Sequence, residues 1–137
     1  GLKRLGLASR IRAFIEPDDS LPAPGQGAMA IEIRADRPEL AELLAPLNHV
    51  DTERAVRAER QLSRSFGGSC QVPLAAFATV AGDALQLRAM VATPDGQRIA
   101  KAVVQGAADA PEALGMQVAS VLDAQDAKAI LAACKTE

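Results

Sequence analysis

Cys70 is the side chain whose surroundings most suggest chemistry. It stands in Ser65–Pro73, SFGGSCQVP, behind two glycines and a serine, residues of small size and free backbone rather than the periodic apolar neighbours of a core cysteine. The thiolate is its reactive form, a soft nucleophile that needs a lowered pKa or a strong electrophile. With so little bulk around it, a large group could be attached there, and Arg60 and Arg64 on the preceding segment could assist ionisation. Spacing alone still favours the plainer reading, a turn cysteine filling a small hole, because free cysteine is among the most buried residue types.

The other polar candidates carry less. Cys134 follows Ile130 and Leu131 at helical spacing and reads as filler on an apolar stripe; a disulfide between it and Cys70 would be unusual in a cytoplasmic chain. Arg54, Arg57, Arg60 and Arg64 recur every three or four residues, with Glu53 in place to pair with Arg57. Such a row is ordinarily a solvated face; the sharper alternative is a carboxylate-binding surface. His49, between two helical patterns, suits a polar cap or turn residue better than a base. Gly25-Gln26-Gly27 could cradle an anion with backbone N–H groups, although a plain turn is the simpler reading.

Composition narrows the classes. The chain has 137 residues, 49% hydrophobic and 23% charged, and a formal net charge of -2, so no basic field invites nucleic acid. Its apolar runs are short and broken by charges, with no membrane span and no secretory pattern, which makes a cytoplasmic location the expectation. Two cysteines and one histidine fall short of the soft ligands that a zinc or iron–sulfur site needs unless carboxylates or a second chain help, so no metal is expected. The first residue is Gly1, opening directly on a helical pattern, as in a processed chain or a piece of something longer.

The elements that would position these residues follow from periodicity. Leu2, Leu5, Ile11 and Ile15, interleaved with Lys3, Arg4, Arg10 and Arg12, predict a basic amphipathic helix interrupted at Gly6. Pro17–Gly27 breaks all periodicity and reads as a connector. Ala28–Arg34 predicts a short strand, and Asp36 with Glu39 predicts a capping box ahead of a helix bearing Leu40, Leu43, Leu44 and Leu47. A second helix from about Asp51 or Thr52 presents Ala55, Ala58, Leu62 and Phe66 and stops at Gly67-Gly68. From Val72 the period becomes two: three strands joined by Gly82-Asp83 and by TPDG predict an antiparallel meander, with Leu85, Leu87, Ala89 and Val91 on one face. Asp109, Pro111 and Glu112 start a capped helix with Leu114, Val118, Val121 and Leu122 on its stripe, and a short helix from Asp126 follows. Residues from about Val50 onward therefore make an α+β unit able to close its own core. The first 45 or so do not, and ask for material to cover them.

Several of these stretches carry a family resemblance. LPAPGQGAMAIEIR (Leu21–Arg34), LNHVDT (Leu47–Thr52), AER (Ala58–Arg60) and GGSCQVPLAAFA (Gly67–Ala78), with the opening GLKRLGLASRIR, resemble the C-terminal part of the porphobilinogen deaminase (hydroxymethylbilane synthase) family. The resemblance covers essentially the whole chain. It implies a cytoplasmic transferase of tetrapyrrole (haem) biosynthesis, monomeric when whole, that deaminates porphobilinogen and joins four molecules into hydroxymethylbilane. It also implies a dipyrromethane cofactor on Cys70 through a thioether, made when the thiolate attacks the electron-poor methylene-pyrrolenine left by loss of ammonia. Arg4 matches a family arginine that binds cofactor or substrate carboxylates, and Gln26 a loop residue near the pyrrole chain; the four-arginine face receives no role.

The same resemblance implies an organisation. Residues 1–21 would be the tail of a second α/β domain, 22–27 a hinge, 28–45 a return into a first α/β domain, 46–49 a second hinge, and 50–137 the cofactor-bearing domain with its three-stranded antiparallel sheet covered by helices. The family's catalytic aspartate lies in the N-terminal half, so no catalytic residue is expected in this chain, which alone would be inactive and would need that half as partner. Two other classes remain open: a non-catalytic pyrrole- or ligand-binding module of the same fold, and a redox-sensing thiol domain.

Overall fold

The computed structural model describes residues 1–68 and 72–134. In chain order it contains α1 (Pro38–Leu44), α2 (Val50–Ser65), β1 (Leu74–Ala81), β2 (Ala84–Ala92), β3 (Ile99–Ala107), α3 (Pro111–Asp123) and α4 (Ala127–Ala133). The strands form one antiparallel sheet in the order β1-β2-β3, with Leu74 opposite Val91 and Ala84 opposite Ala107. Period-two alternation does here what it should: Leu85, Leu87, Ala89 and Val91 all point to the covered face and are at most 1% exposed. Leu62 of α2, Val118 and Leu122 of α3, and Ile130 and Leu131 of α4 close that face, each such side chain contributing roughly 1.5–3 kcal/mol of burial. The α+β expectation is met.

The start, stop and packing of α2 have separate causes. His49 is its N-cap, Nδ1 accepting from the Thr52 N–H at 3.3 Å, and Asp51 and Glu53 in the first turn suit the positive end of the helix. At the far end, the Gly67 N–H donates to the Arg64 carbonyl (3.1 Å) and the Gly68 N–H to that of Ser63 (2.9 Å). Those bonds need the left-handed backbone found at both glycines, φ 100° and 63°. Against the middle of α2 packs α3, brought close by Gly115. A Cβ there would stand 2.6 Å from the Ala58 carbonyl oxygen and 2.8 Å from Gln61 Cβ.

Both outer edges of the sheet are occupied, as exposed edges invite foreign strands. Along β1, the Ala76 N–H donates to the Pro22 carbonyl at 2.9 Å and the Ala78 N–H to Glu59 Oε1 at 2.7 Å. Along β3, Gln125 grips one residue from both sides: Nε2 donates to the Lys101 carbonyl (2.9 Å) and Oε1 accepts from the Lys101 N–H (3.1 Å).

The front of the chain departs from expectation. Instead of a helix over the first fifteen residues there are turns, with the backbone reversing at Gly6 (φ 71°), and a single 3-10 turn at Ala8–Arg10. Ala28–Arg34 has no partner strand among the described residues and forms none. The capping box before α1 is also absent. Arg37 holds the N-cap position with Pro38 following, while Asp36 accepts from Arg34 Nε at 2.9 Å and Glu39 pairs with Arg37. Adjacent arginines outcompeted the backbone for both carboxylates. Nor does Asp109 cap α3, whose N-cap is Ala110; Val121, expected on the α3 stripe, is 38% exposed.

The common physical reason is lack of cover. Among the described residues the buried apolar positions run from Ala58 to Leu131, and α1 buries nothing. Leu5, Phe14, Ile15, Met29, Leu43 and Leu47 are each more than 65% exposed. Short helices with no tertiary contact are marginal in water.

Candidate functional site

The connector rests against α2 and the edge of β1, and one side chain fastens it. The Gly25 N–H donates to Glu59 Oε2 at 2.7 Å, while the other carboxylate oxygen of Glu59 receives the Ala78 N–H. Glu59 is 5% exposed and is the one buried charged side chain among the described residues. Burial raises its pKa, against the opposing pull of the two N–H donors, which favour the charged form. Gly25-Gln26-Gly27 is indeed a turn, closed by Gln26 N–H to the Ala23 carbonyl and Ala28 N–H to that of Gly25. Its Gly25 N–H does bind an anion, but the anion belongs to the protein.

Two grooves border this contact. The larger, about 890 Å³, runs between the connector and α2, with Met29, His49, Arg60, Arg64 and Gly68 on its walls. The smaller, about 510 Å³, lies between the connector and β1 and is lined by Gln26 and Glu59 among others. The sequence-derived site residues thus fall in different places. Gln26 lines the smaller groove; Arg4 is exposed in the first turn, forms no ion pair among the described residues and stands on neither wall. Cys70 lies outside the described residues, two positions after Gly68.

The arginine face is divided. Arg57 makes a two-pronged contact with Glu112 of α3, Nε to Oε1 at 2.7 Å and Nη2 to Oε2 at 3.1 Å, and reaches Glu53 only at 3.5 Å. This pairing holds the Glu112 carboxyl below its ordinary range and raises Arg57. The expected Glu53–Arg57 pair is therefore present but secondary. Arg54 stands 3.5 Å from Asp51. Arg60 and Arg64, one turn apart, form no ion pair among the described residues and face the larger groove. Cys134 is half-buried and its thiol donates to the Ile130 carbonyl at 3.2 Å, as befits filler.

Glu59, the middle of the AER motif, is the residue to which the sequence reading assigned no role. Its signal was present: it falls four after Ala55 and three before Leu62, a carboxylate inside the apolar stripe of α2. A charge at such a place needs partners. Among the described residues no three His, Cys, Asp or Glu side chains gather as a metal site, and no helix is long and apolar enough to cross a membrane.

Comparison with known proteins supplies the relationship. Residues 53–124 match the family model described as the porphobilinogen deaminase C-terminal domain, and residues 1–42 match that of the porphobilinogen deaminase dipyromethane cofactor binding domain. The porphobilinogen deaminase of Paraburkholderia phytofirmans is 59% identical over 97% of this chain and 40% of its own length. Those of Methylobacillus flagellatus and Chromobacterium violaceum are 56% and 54% identical over 100% of this chain and 44% of theirs. The chain therefore spans less than half the length of these relatives. With more than half of its residues inside the C-terminal-domain match, the chain belongs to the porphobilinogen deaminase family.

Proposed function

We propose that the chain is the C-terminal portion of a cytoplasmic hydroxymethylbilane synthase, a transferase that deaminates porphobilinogen and condenses four molecules on a dipyrromethane primer. The observation that carries this reading is the pair of family matches spread over both segments of the chain. In it, residues 50–137 bear the primer, residues 1–21 and 28–45 belong to two further domains completed by an N-terminal portion, and 22–27 and 46–49 connect them.

The residues at hand fit such a primer. Pyrroles bearing acetate and propionate are polyanions, and the guanidinium groups of Arg60 and Arg64 face a groove that reaches Gly68, close in sequence to Cys70. Cys70 is the attachment residue, its thiolate the nucleophile; Arg4 binds carboxylates; Gln26 contacts the pyrrole chain. When bound, the dipyrromethane supplies the nucleophilic pyrrole carbon that accepts each new unit. This chain's part is to hold it. Acid–base catalysis comes from the N-terminal portion.

The test joins this chain behind the remaining N-terminal portion of the Paraburkholderia phytofirmans relative. The joined enzyme is expected to make hydroxymethylbilane from porphobilinogen, and its Cys70 peptide to carry the mass of two pyrrole units and react with Ehrlich's reagent. The chain alone is expected to make none. A Cys70→Ser joined enzyme that retained the adduct would overturn the attachment site; an inactive, adduct-free joined enzyme would overturn the reading.

A further inference from the structure

The Glu59 carboxylate does something that neither packing nor ion pairing requires. It forms no ion pair among the described residues, and its two oxygens serve two segments distant in sequence, the connector at Gly25 and the sheet edge at Ala78. Two residues further along the edge, Pro22 accepts from Ala76, so the connector runs beside β1 like an incomplete fourth strand, with Glu59 standing in for the missing acceptor. Two N–H donors need two acceptor oxygens in this arrangement, and among side chains of this length only an ionised carboxylate offers both. A glutamine of the same shape would turn an NH₂ group toward one of the N–H groups. A buried, unpaired charge is costly, and here it secures the loop that contains Gln26.

We propose that Glu59 is a positioning residue, whose carboxylate holds the Gly25–Gly27 loop, and Gln26 with it, at a set place on the edge of β1. The importance of placing Gln26 rests on the function proposed above; the fastening itself does not. The inference applies to a loop that borders both grooves, so that a displaced loop changes the width of each.

Amide NMR on this chain tests it without substrate or turnover, so the outcome is independent of whether the joined enzyme is active. In the unmodified chain the Gly25 and Ala78 amide protons are expected well downfield, the signature of short bonds to a charged acceptor. In Glu59→Gln at least one should move upfield by about 0.5 ppm or more, the Gln26 amide should shift with it, and exchange over residues 25–28 should quicken about tenfold while β2–β3 protection stays unchanged. Ordinary amide shifts at Gly25 and Ala78 in the unmodified chain overturn the proposal even if the variant fails to fold. So do unchanged exchange at residues 25–28 and protection lost throughout the sheet, which would make Glu59 a general packing residue.

Discussion

The front segment, residues 1–47, and the unit from α2 to α4 are written in the same alphabet of apolar spacing, yet only one of them is folded around a core. In the unit, Leu62, Leu85, Leu87 and Leu122 are wholly buried; in the front, Leu5, Phe14, Ile15 and Met29 are largely exposed. Composition does not separate them. What separates them is whether the chain itself brings a second surface to each apolar face: α2 and α3 cover the sheet, whereas nothing among the described residues covers α1. Periodicity records which face is meant to be covered, and the cover has to come from elsewhere in the chain or from another one.

Substitutions on the two sides should divide accordingly. Leu87→Ala in the centre of the sheet is expected to cost about 2–5 kcal/mol, read as a lowered urea midpoint with unchanged slope. Gly115→Ala should cost about 1–3 kcal/mol, because its methyl meets the Ala58 carbonyl and the helices must part; full stability in this variant would show that α2 and α3 are less tightly set. Arg57→Gln loses the two-pronged contact with Glu112 on a solvent-facing surface and should lower the thermal midpoint only slightly, by an amount that shrinks in about 1 M salt. Least of all, Phe14→Ser should leave the midpoint within about 0.5 kcal/mol of the unmodified chain. A large loss there would mean that the front is part of the core after all.

Where the two regions touch, acidity offers a further probe. The folded-state pKa of Glu59 is raised by burial, so the folded chain holds that proton more tightly than the unfolded one. The ionised carboxylate accordingly costs stability above its folded pKa, and the cost disappears as pH falls through that value into the ordinary glutamate range. Glu59→Gln should remove this component, flattening the urea midpoint across that window. The lowered carboxylates Asp36, Glu39, Asp95 and Glu112 act with the opposite sign at lower pH, where protonation forfeits their bonds. An identical pH profile in the variant would contradict the raised value.

Legibility followed the same division. The meander was readable because alternation, Gly82-Asp83 and TPDG agree with one another, and because helices long enough to cover it follow in sequence. The end of α2 was readable from Gly67-Gly68. The helix over the first fifteen residues was not, because its apolar stripe has no partner among the described residues. The capping roles of Asp36 and Glu39 were lost to neighbouring arginines, a competition that spacing rules do not weigh. Of the candidate site, the family motifs named Cys70, Arg4 and Gln26, while Glu59, hidden inside a stripe read as apolar, needed the distances to become visible.

The grip of Gln125 on Lys101 bears on how the protein behaves in a crowded solution. A strand from a second molecule that tried to zip along β3 would find its ladder interrupted midway, with both the donor and the acceptor of one rung already taken. Val103, 64% exposed on that same strand, is the sort of side chain that would otherwise reward such zipping. One neutral side chain thus closes a rung of the open edge, with neither a charge nor a proline needed in the strand itself.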